Sequence, residues 1–173
     1  MCITRAPFNS LTSLTWQAFA AGNASALAAL GAALLAVIDD YEALLATDSN
    51  FLLGRWIQWA RSWSTSDAGK ALLEYNARNQ LTLWGPTGQI NDYAKKEWSG
   101  LVGTYYRPRW ALFLKYAAEA AAAGGAWDPA GFCEDMLQSV ELPWQRDTTP
   151  FPATPTGDAL AISKAMHAKY AAL

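Results

Sequence analysis

The 173-residue sequence holds few groups that could carry acid–base or covalent chemistry. Its one histidine, His167, lies near the C-terminus between Lys164 and Lys169 and has no obvious nucleophile partner. A cation near a helix C-terminus complements the helix dipole, so His167 reads as a surface residue. The carboxylates come in local groups: Asp39/Asp40/Glu42, Asp92/Glu97 and Glu134/Asp135. Two carboxylates are what glycoside hydrolysis needs, but sequence neighbours on a helix point away from each other, so these read as mostly solvated. Gly85 and Gly88 do not make a phosphate loop, because the lysine and the longer glycine spacing are missing. Cys2 and Cys133 are too few and too far apart for a disulfide framework or a thiolate metal site. Both read as free thiols, Cys133 as a small buried apolar residue. No metal or cofactor is called for.

What remains is a polar–aromatic constellation between Arg78 and Trp110: Arg78, Asn79, Trp84, Asn91, Asp92 and Tyr93, then Tyr105, Tyr106, Arg107, Arg109 and Trp110. Aromatic faces beside amide and guanidinium donors suit the apolar and hydroxylated faces of a sugar. The same residues also suit a corner stabilised by a buried network around Asp92 or Arg78, with Trp84 as a core anchor. The nine Trp, seven Tyr and six Phe exceed what a small helical core requires, and large aromatics serve interfaces and sugar stacking as well.

The elements that must position these residues are helical. Leu27, Leu30, Leu34, Val37, Tyr41 and Leu44 recur at steps of three and four behind Asn23, a suitable N-cap. Leu52, Trp56, Trp59 and Trp63 predict a second stripe, after Thr47-Asp48-Ser49. Ser64 and Asp67 fit a capping box for a third helix, which runs through Leu72, Leu73, Tyr75 and Leu81 to Trp84. Gly85, Pro86 and Gly88 then turn the chain, and a fourth helix is expected from about Asn91 or Asp92, with Trp98, Leu101, Val102 and Tyr105 on its apolar face. Gly100 and Gly103 in that helix predict a close crossing, and Pro108 predicts a kink or restart between Tyr106 and Arg109. Asp128-Pro129 opens a further helix through Phe132, Met136, Leu137 and Val140. Four prolines make 142–156 an extended loop, and a last helix begins at about Gly157. Residues 1–22 are poorly defined, with a short helix from about Ser10 to Ala20 possible; residues 23–173 form the helical domain. The fold class is all-α, an irregular bundle of five to seven helices.

Hydrophobic residues make up 52% and charged residues 16% of the chain, which is the balance of a globular domain. A net charge of −2 gives no reason to expect nucleic acid or an anionic membrane surface as partner. The N-terminal stretch lacks the continuous apolar segment of a secretory signal, so the sequence leaves localisation unassigned. The apolar run from Ala24 to Ala36 meets Asp39, Asp40 and Glu42 before a membrane span is complete.

The blocks FLLGRWIQWAR (51–61) and YNARNQLTLWGPTGQINDYAKKEWSGLVGTYYRPRWALFL (75–114), with the spacing between them, resemble the C-terminal helical domain of the family 89 glycoside hydrolases, the α-N-acetylglucosaminidases. The resemblance extends from about residue 25 to the C-terminus. It implies an all-α domain packed against a (β/α)8 barrel whose two glutamates release terminal α-linked N-acetylglucosamine with retention, in enzymes that are typically lysosomal or secreted. It also implies that Trp84, Ile90 and Tyr93 of the WGPTGQINDY block lie against the sugar, and that Arg78, Arg107 and Arg109 are structural or interdomain residues. The barrel is not in this sequence, so the chain alone is expected to be inactive. The other reading is a stand-alone helical module that binds carbohydrate or protein without catalysis.

Overall fold

Helix stripes, caps and breakers along the chain resolve, in a computed structural model that describes residues 2–84, 90–125 and 127–171 (side chains from residue 6), into seven helices and one small hairpin. Helix α1 (Cys2–Ala20) and helix α2 (Ala24–Leu45) form an antiparallel pair, with Asn23 Oδ1 accepting from Ala26 N–H as the N-cap of α2. A 3-10 turn (Ser49–Phe51), capped by Asp48, leads to α3 (Leu53–Ser62) and then α4 (Asp67–Leu81). Strands β1 (Leu83–Trp84) and β2 (Ile90–Asn91) pair antiparallel, Trp84 opposite Ile90. The Gly85-Pro86-Thr87-Gly88 turn between them lies outside the described residues. Helix α5 starts as a π-helical turn (Val102–Tyr106) and continues as Arg107–Ala122. Helix α6 runs from Pro129–Asp135 through a π-helical stretch (Met136–Glu141) into Leu142–Arg146. Helix α7 (Ala159–Tyr170), capped by Asp158, closes the fold. The all-α reading holds.

Several boundaries and faces differ from expectation. The helix expected to reach Trp84 ends at Leu81, and the helix expected from Asn91 or Asp92 begins only at Leu101. Residues 83–84 and 90–91 are instead a strand pair and 92–100 an irregular segment, in which Asp92 and Glu97 bond outward to Arg109 and Tyr41. The N-cap of α4 is Ser66, whose hydroxyl accepts from Gly69 N–H; Ser64 only supports Ser66. Helix α6 runs five residues into the expected loop, through Leu142–Arg146, since the wide π turn accommodates Pro143. Only the first half of the Leu52/Trp56/Trp59/Trp63 stripe faces the core: Leu52 is buried and Trp56, half-buried, packs on the core and donates to the Ala77 carbonyl. Leu53 and Ile57 are buried, whereas Trp59 lies under the Arg55 guanidinium and Trp63 is 86% exposed just past the helix end. Cys133 is exposed, one helical step away from the half-buried Phe132.

The core has two main parts. One joins Leu53, Ile57, Ala77, Leu81, Leu101, Tyr105 and Trp144 between α3, α4, α5 and α6. The other joins Leu11, Leu34, Val37, Leu114, Met166 and Tyr170 between α1, α2, α5 and α7, and small residues Ala18, Ala117 and Ala121 extend it around Leu27. Helix α2 is long and apolar enough to cross a membrane by length and composition alone. Its buried residues face this core, and its acidic residues Asp39, Asp40 and Glu42 all bond other elements. Asp39 pairs with Arg107, Asp40 with Lys169 and the Tyr170 hydroxyl, and Glu42 accepts from Ser99 Oγ and from the N–H groups of Gly100 and Gly103. The close approach foreseen at the two glycines is therefore to a carboxylate at a helix start, where anionic charge is favoured. Gly100 has φ +93, and a Cβ there would come within 2.9 Å of Phe151.

Helix α4 buries a charged face. Arg78 is 0% exposed and Glu74 is buried beside it, while Leu72 and Tyr75 face outward. Arg78 donates from Nε and Nη2 to Glu74 Oε1 (3.1 and 2.9 Å) and to the carbonyls of Trp144 (3.4 Å) and Thr149 (3.1 Å). Its guanidinium lies 5.0 Å from the Trp144 ring and 5.1 Å from that of Phe151. Arg61 completes Glu74 at 2.6 Å.

Replacing Arg78 by Met leaves Glu74 Oε1 and two carbonyls without their donor, Arg61 still holding Oε2, and should lower unfolding free energy in urea by about 3 kcal/mol. Adding Glu74→Leu should recover part of that loss, because the buried, half-satisfied carboxylate goes with it and Arg61, itself partly exposed, can turn to solvent. The α7 tether has a pH signature. Burial raises the Asp40 carboxyl, but bonds from Lys169 and Tyr170 outweigh it and hold the group below its usual value of 3.8. A depressed carboxyl contributes stability above its unfolded pKa and loses it as pH falls through the folded one. The stability gap between the native chain and Asp40→Asn, followed by denaturation from pH 7 downward, should therefore be constant above about pH 5 and shrink below pH 4.

Candidate functional site

The hairpin grows out of the end of α4. Thr82, fully buried, donates its hydroxyl to the Arg78 carbonyl (2.8 Å), and its own carbonyl accepts from Asp92 N–H (2.7 Å). Leu83 points into the protein and Trp84 out of it, as strand alternation requires. Trp84 is 36% exposed, Ile90 46% and Tyr93 65%, and the Trp84 and Tyr93 rings touch with centroids 4.4 Å apart. The three residues named from the sequence thus sit together on one exposed tip. Trp84 is not a core anchor.

The chain leaves the hairpin through Asp92, the one non-glycine residue with positive φ (55°) among the described residues. That conformation costs roughly 1–3 kcal/mol for a non-glycine residue, less for Asp than for most. Both Asp92 oxygens accept from Arg109 Nη1 (3.0 and 2.8 Å), and Arg109 Nε faces Glu141 Oε1 at 3.1 Å. The Arg109 guanidinium also lies 4.9 Å from the Tyr105 ring. Burial works against the Arg109 charge, yet Tyr105, Asp92 and Glu141 hold its pKa above the ordinary value. Burial pushes the Glu141 carboxyl up, opposed by Arg109, and burial likewise raises the Tyr105 and Tyr106 phenols. Downstream, Ser99 exchanges backbone bonds with Phe51 and Leu53, which fixes the far end of the segment to the start of α3.

The three arginines have separate duties. Arg78 is internal to the α4–α6 core, Arg107 bonds Asp39 on α2, and only Arg109 reaches the hairpin. Asp92 and Glu97, grouped in the sequence, part company: Glu97 accepts from the Tyr41 hydroxyl at 2.5 Å. A groove of about 1020 Å³ opens on the other side of Asp92, walled by Phe8, Trp16, Tyr41, Trp110 and Phe113, and none of Trp84, Ile90 and Tyr93 lines it. Among the described residues no group of three metal-ligating side chains converges. His167 is exposed on α7, away from any such group. Sequence reading missed Glu74, Glu42 and Glu141 as partners. Only Glu74 left a trace, the i, i+4 spacing to Arg78.

This arrangement of helices and hairpin has known counterparts. The family model of the alpha-N-acetylglucosaminidase (NAGLU) C-terminal domain matches residues 4–169. The chain is 39% identical over 147 residues, 85% of its length, to alpha-N-acetylglucosaminidase from Homo sapiens, of which it covers 20%. Among solved structures it resembles a family 89 glycoside hydrolase from Clostridium perfringens in complex with 2-acetamido-1,2-dideoxynojirmycin (TM-score 0.81, 26% identity). It also resembles a glutamate-substituted form of that enzyme in complex with its substrate GlcNAc-α-1,4-galactose (TM-score 0.82, 27% identity). In each case 97% of this chain aligns with 20% of the other. The chain spans about a fifth of the length of the relatives it matches, and over nearly all of its own length it belongs to the α-N-acetylglucosaminidase C-terminal domain family.

Proposed function

We propose that this chain is the helical wall of an α-N-acetylglucosaminidase sugar cleft, with Trp84, Ile90 and Tyr93 lying against a terminal α-linked N-acetylglucosamine. The observation that carries this reading is the exposed ring pair of Trp84 and Tyr93, beside Ile90, on a hairpin held to buried structure at both ends. An aromatic pair of that kind offers an apolar face to the C–H side of a pyranose, and exposed apolar residues on a rigid element mark a binding surface. Bond cleavage itself belongs to a (β/α)8 barrel carrying an acid and a nucleophile, two glutamates placed on either side of the glycosidic bond. The carboxylates near the hairpin are engaged otherwise, Asp92 by Arg109 and Glu97 by Tyr41, so this wall contributes shape and contact rather than proton transfer.

Titrating the isotopically labelled chain with methyl α-N-acetylglucosaminide should shift the Trp84 indole N–H, the Ile90 methyl groups and the Tyr93 ring, and Trp84→Ala should remove the response. Shifts confined to other surface tryptophans such as Trp63 would refute the assignment. The isolated chain should give no turnover of an aryl α-N-acetylglucosaminide; turnover abolished by replacing a single carboxylate of this chain would overturn the division of labour.

A further inference from the structure

Two-residue strands supply almost no stability by themselves, so the contact between Trp84 and Tyr93 needs an outside cause. The rings meet directly after the backbone turns through the left-handed region at Asp92, the residue that precedes Tyr93. Asp tolerates that conformation better than most residues but does not require it. Backbone bonds meet Asp92 on both sides, its N–H donating to the Thr82 carbonyl and its carbonyl accepting from Lys95 N–H, but they close only the local turn. What ties that turn to the helices is the carboxylate, gripped through both oxygens by one Arg109 nitrogen.

We infer that Arg109 is a positioning residue for the sugar wall: through Asp92 it holds the left-handed turn that seats Tyr93 against Trp84. The inference rests on the reading of Trp84, Ile90 and Tyr93 as the sugar-facing residues. Arg109 suits the task because its own geometry is fixed from three further sides. Glu141 on α6 holds Nε, and the Tyr105 and Tyr106 rings flank the guanidinium at 4.9 and 5.9 Å. All of these stand on helices, so the clamp transmits the rigidity of the bundle to a tip that has none of its own. Charge-assisted contacts to both oxygens also set direction, which a single neutral hydrogen bond would not.

The test compares the native chain with Asp92→Asn, Asp92→Gly, Arg109→Gln and the Asp92→Asn/Arg109→Gln double variant. Three quantities are measured: nuclear Overhauser contacts between the Trp84 and Tyr93 rings, the dissociation constant for methyl α-N-acetylglucosaminide, and the thermal midpoint. Each single variant should lose most of the ring contacts. If a tenth of molecules keep the paired rings, apparent affinity falls about tenfold. The double variant should be no worse than either single one, because the two side chains act as a unit. Asp92→Gly is the discriminating case, since glycine adopts the turn without strain and lacks only the grip. Ring contacts and affinity preserved in Asp92→Gly or Arg109→Gln would overturn the inference, as would a fall in thermal midpoint with both unchanged. If the native chain binds no sugar, the wall reading fails, and the ring contacts alone still decide whether Arg109 positions Tyr93.

Discussion

A guanidinium with no contact to solvent must receive from the protein everything water would have given it. Arg78 is such a group, and the protein answers with the Glu74 carboxylate, two backbone carbonyls and two aromatic faces. The partners come from three stretches far apart in sequence: α4 itself, Trp144 in the last turn of α6, and the 147–156 segment that carries Thr149 and Phe151. Because the cost of stranding a buried charge is several kcal/mol, these stretches cannot shift independently. Satisfying one side chain thus fixes how α6 lies on α4 and where the proline-rich segment crosses them.

The same constraint reaches the hairpin by a closed circuit of contacts. The Arg78 carbonyl accepts from Thr82, the Thr82 carbonyl from Asp92, and the Asp92 carboxylate from Arg109. Arg109 faces Glu141, and α6 leads from Glu141 to Trp144, whose carbonyl accepts from Arg78. A two-residue strand pair could not hold an exposed tryptophan in one place, but a loop tied into a ring of polar groups that are buried or, at Asp92 and Arg109, half-buried can. Low local dielectric strengthens each of these bonds and penalises leaving any of them open. The exposed tip is therefore stiff for reasons that lie beneath it.

How much of this could be read beforehand depended on whether burial followed polarity. The stripe of α2 was legible because Leu27, Leu34 and Val37 are both apolar and buried, and Asn23 and Asp128 cap as their side chains suggest. The α4 face was half legible: Leu81 and a buried network around Arg78 were among the readings, but apolar periodicity marked Leu72 and Tyr75, which face outward, and passed over Glu74. The α3 tryptophans failed for the converse reason: Trp59 and Trp63 are apolar yet exposed, and Trp63 sits beyond the helix end. The hairpin was hidden because its strands are too short to alternate. Glu42 and Glu141 could not be found locally, since their partners lie 36 to 61 positions away for the bonds to Tyr105 and Gly103. The constellation itself, Arg78 to Arg109, was visible as residue types; which arginine served which carboxylate was not.

Both π-helical stretches stand just before a proline, Val102–Tyr106 before Pro108 and Met136–Glu141 before Pro143. Proline cannot donate to the preceding turn and crowds the carbonyl four residues back, so an ordinary helix would kink there. A turn widened to the i→i−5 pattern relieves the crowding, and the bonds from Arg107 N–H to Val102 and from Leu142 N–H to Leu137 have that spacing. The inserted residue also rotates the remainder of each helix by about 100° relative to an uninterrupted one. On α5 the residues set by that rotation include Arg109, and on α6 they include Trp144; Tyr105 and Glu141 lie within the widened turns themselves. These four side chains meet across the α5–α6 contact, with Tyr105 and Trp144 rings 5.1 Å apart and Glu141 on Arg109. Without the two insertions the register of both helices would turn Arg109 and Trp144 away from their partners. The prolines that looked like helix breakers in the sequence thus accompany the register change that assembles the clamp.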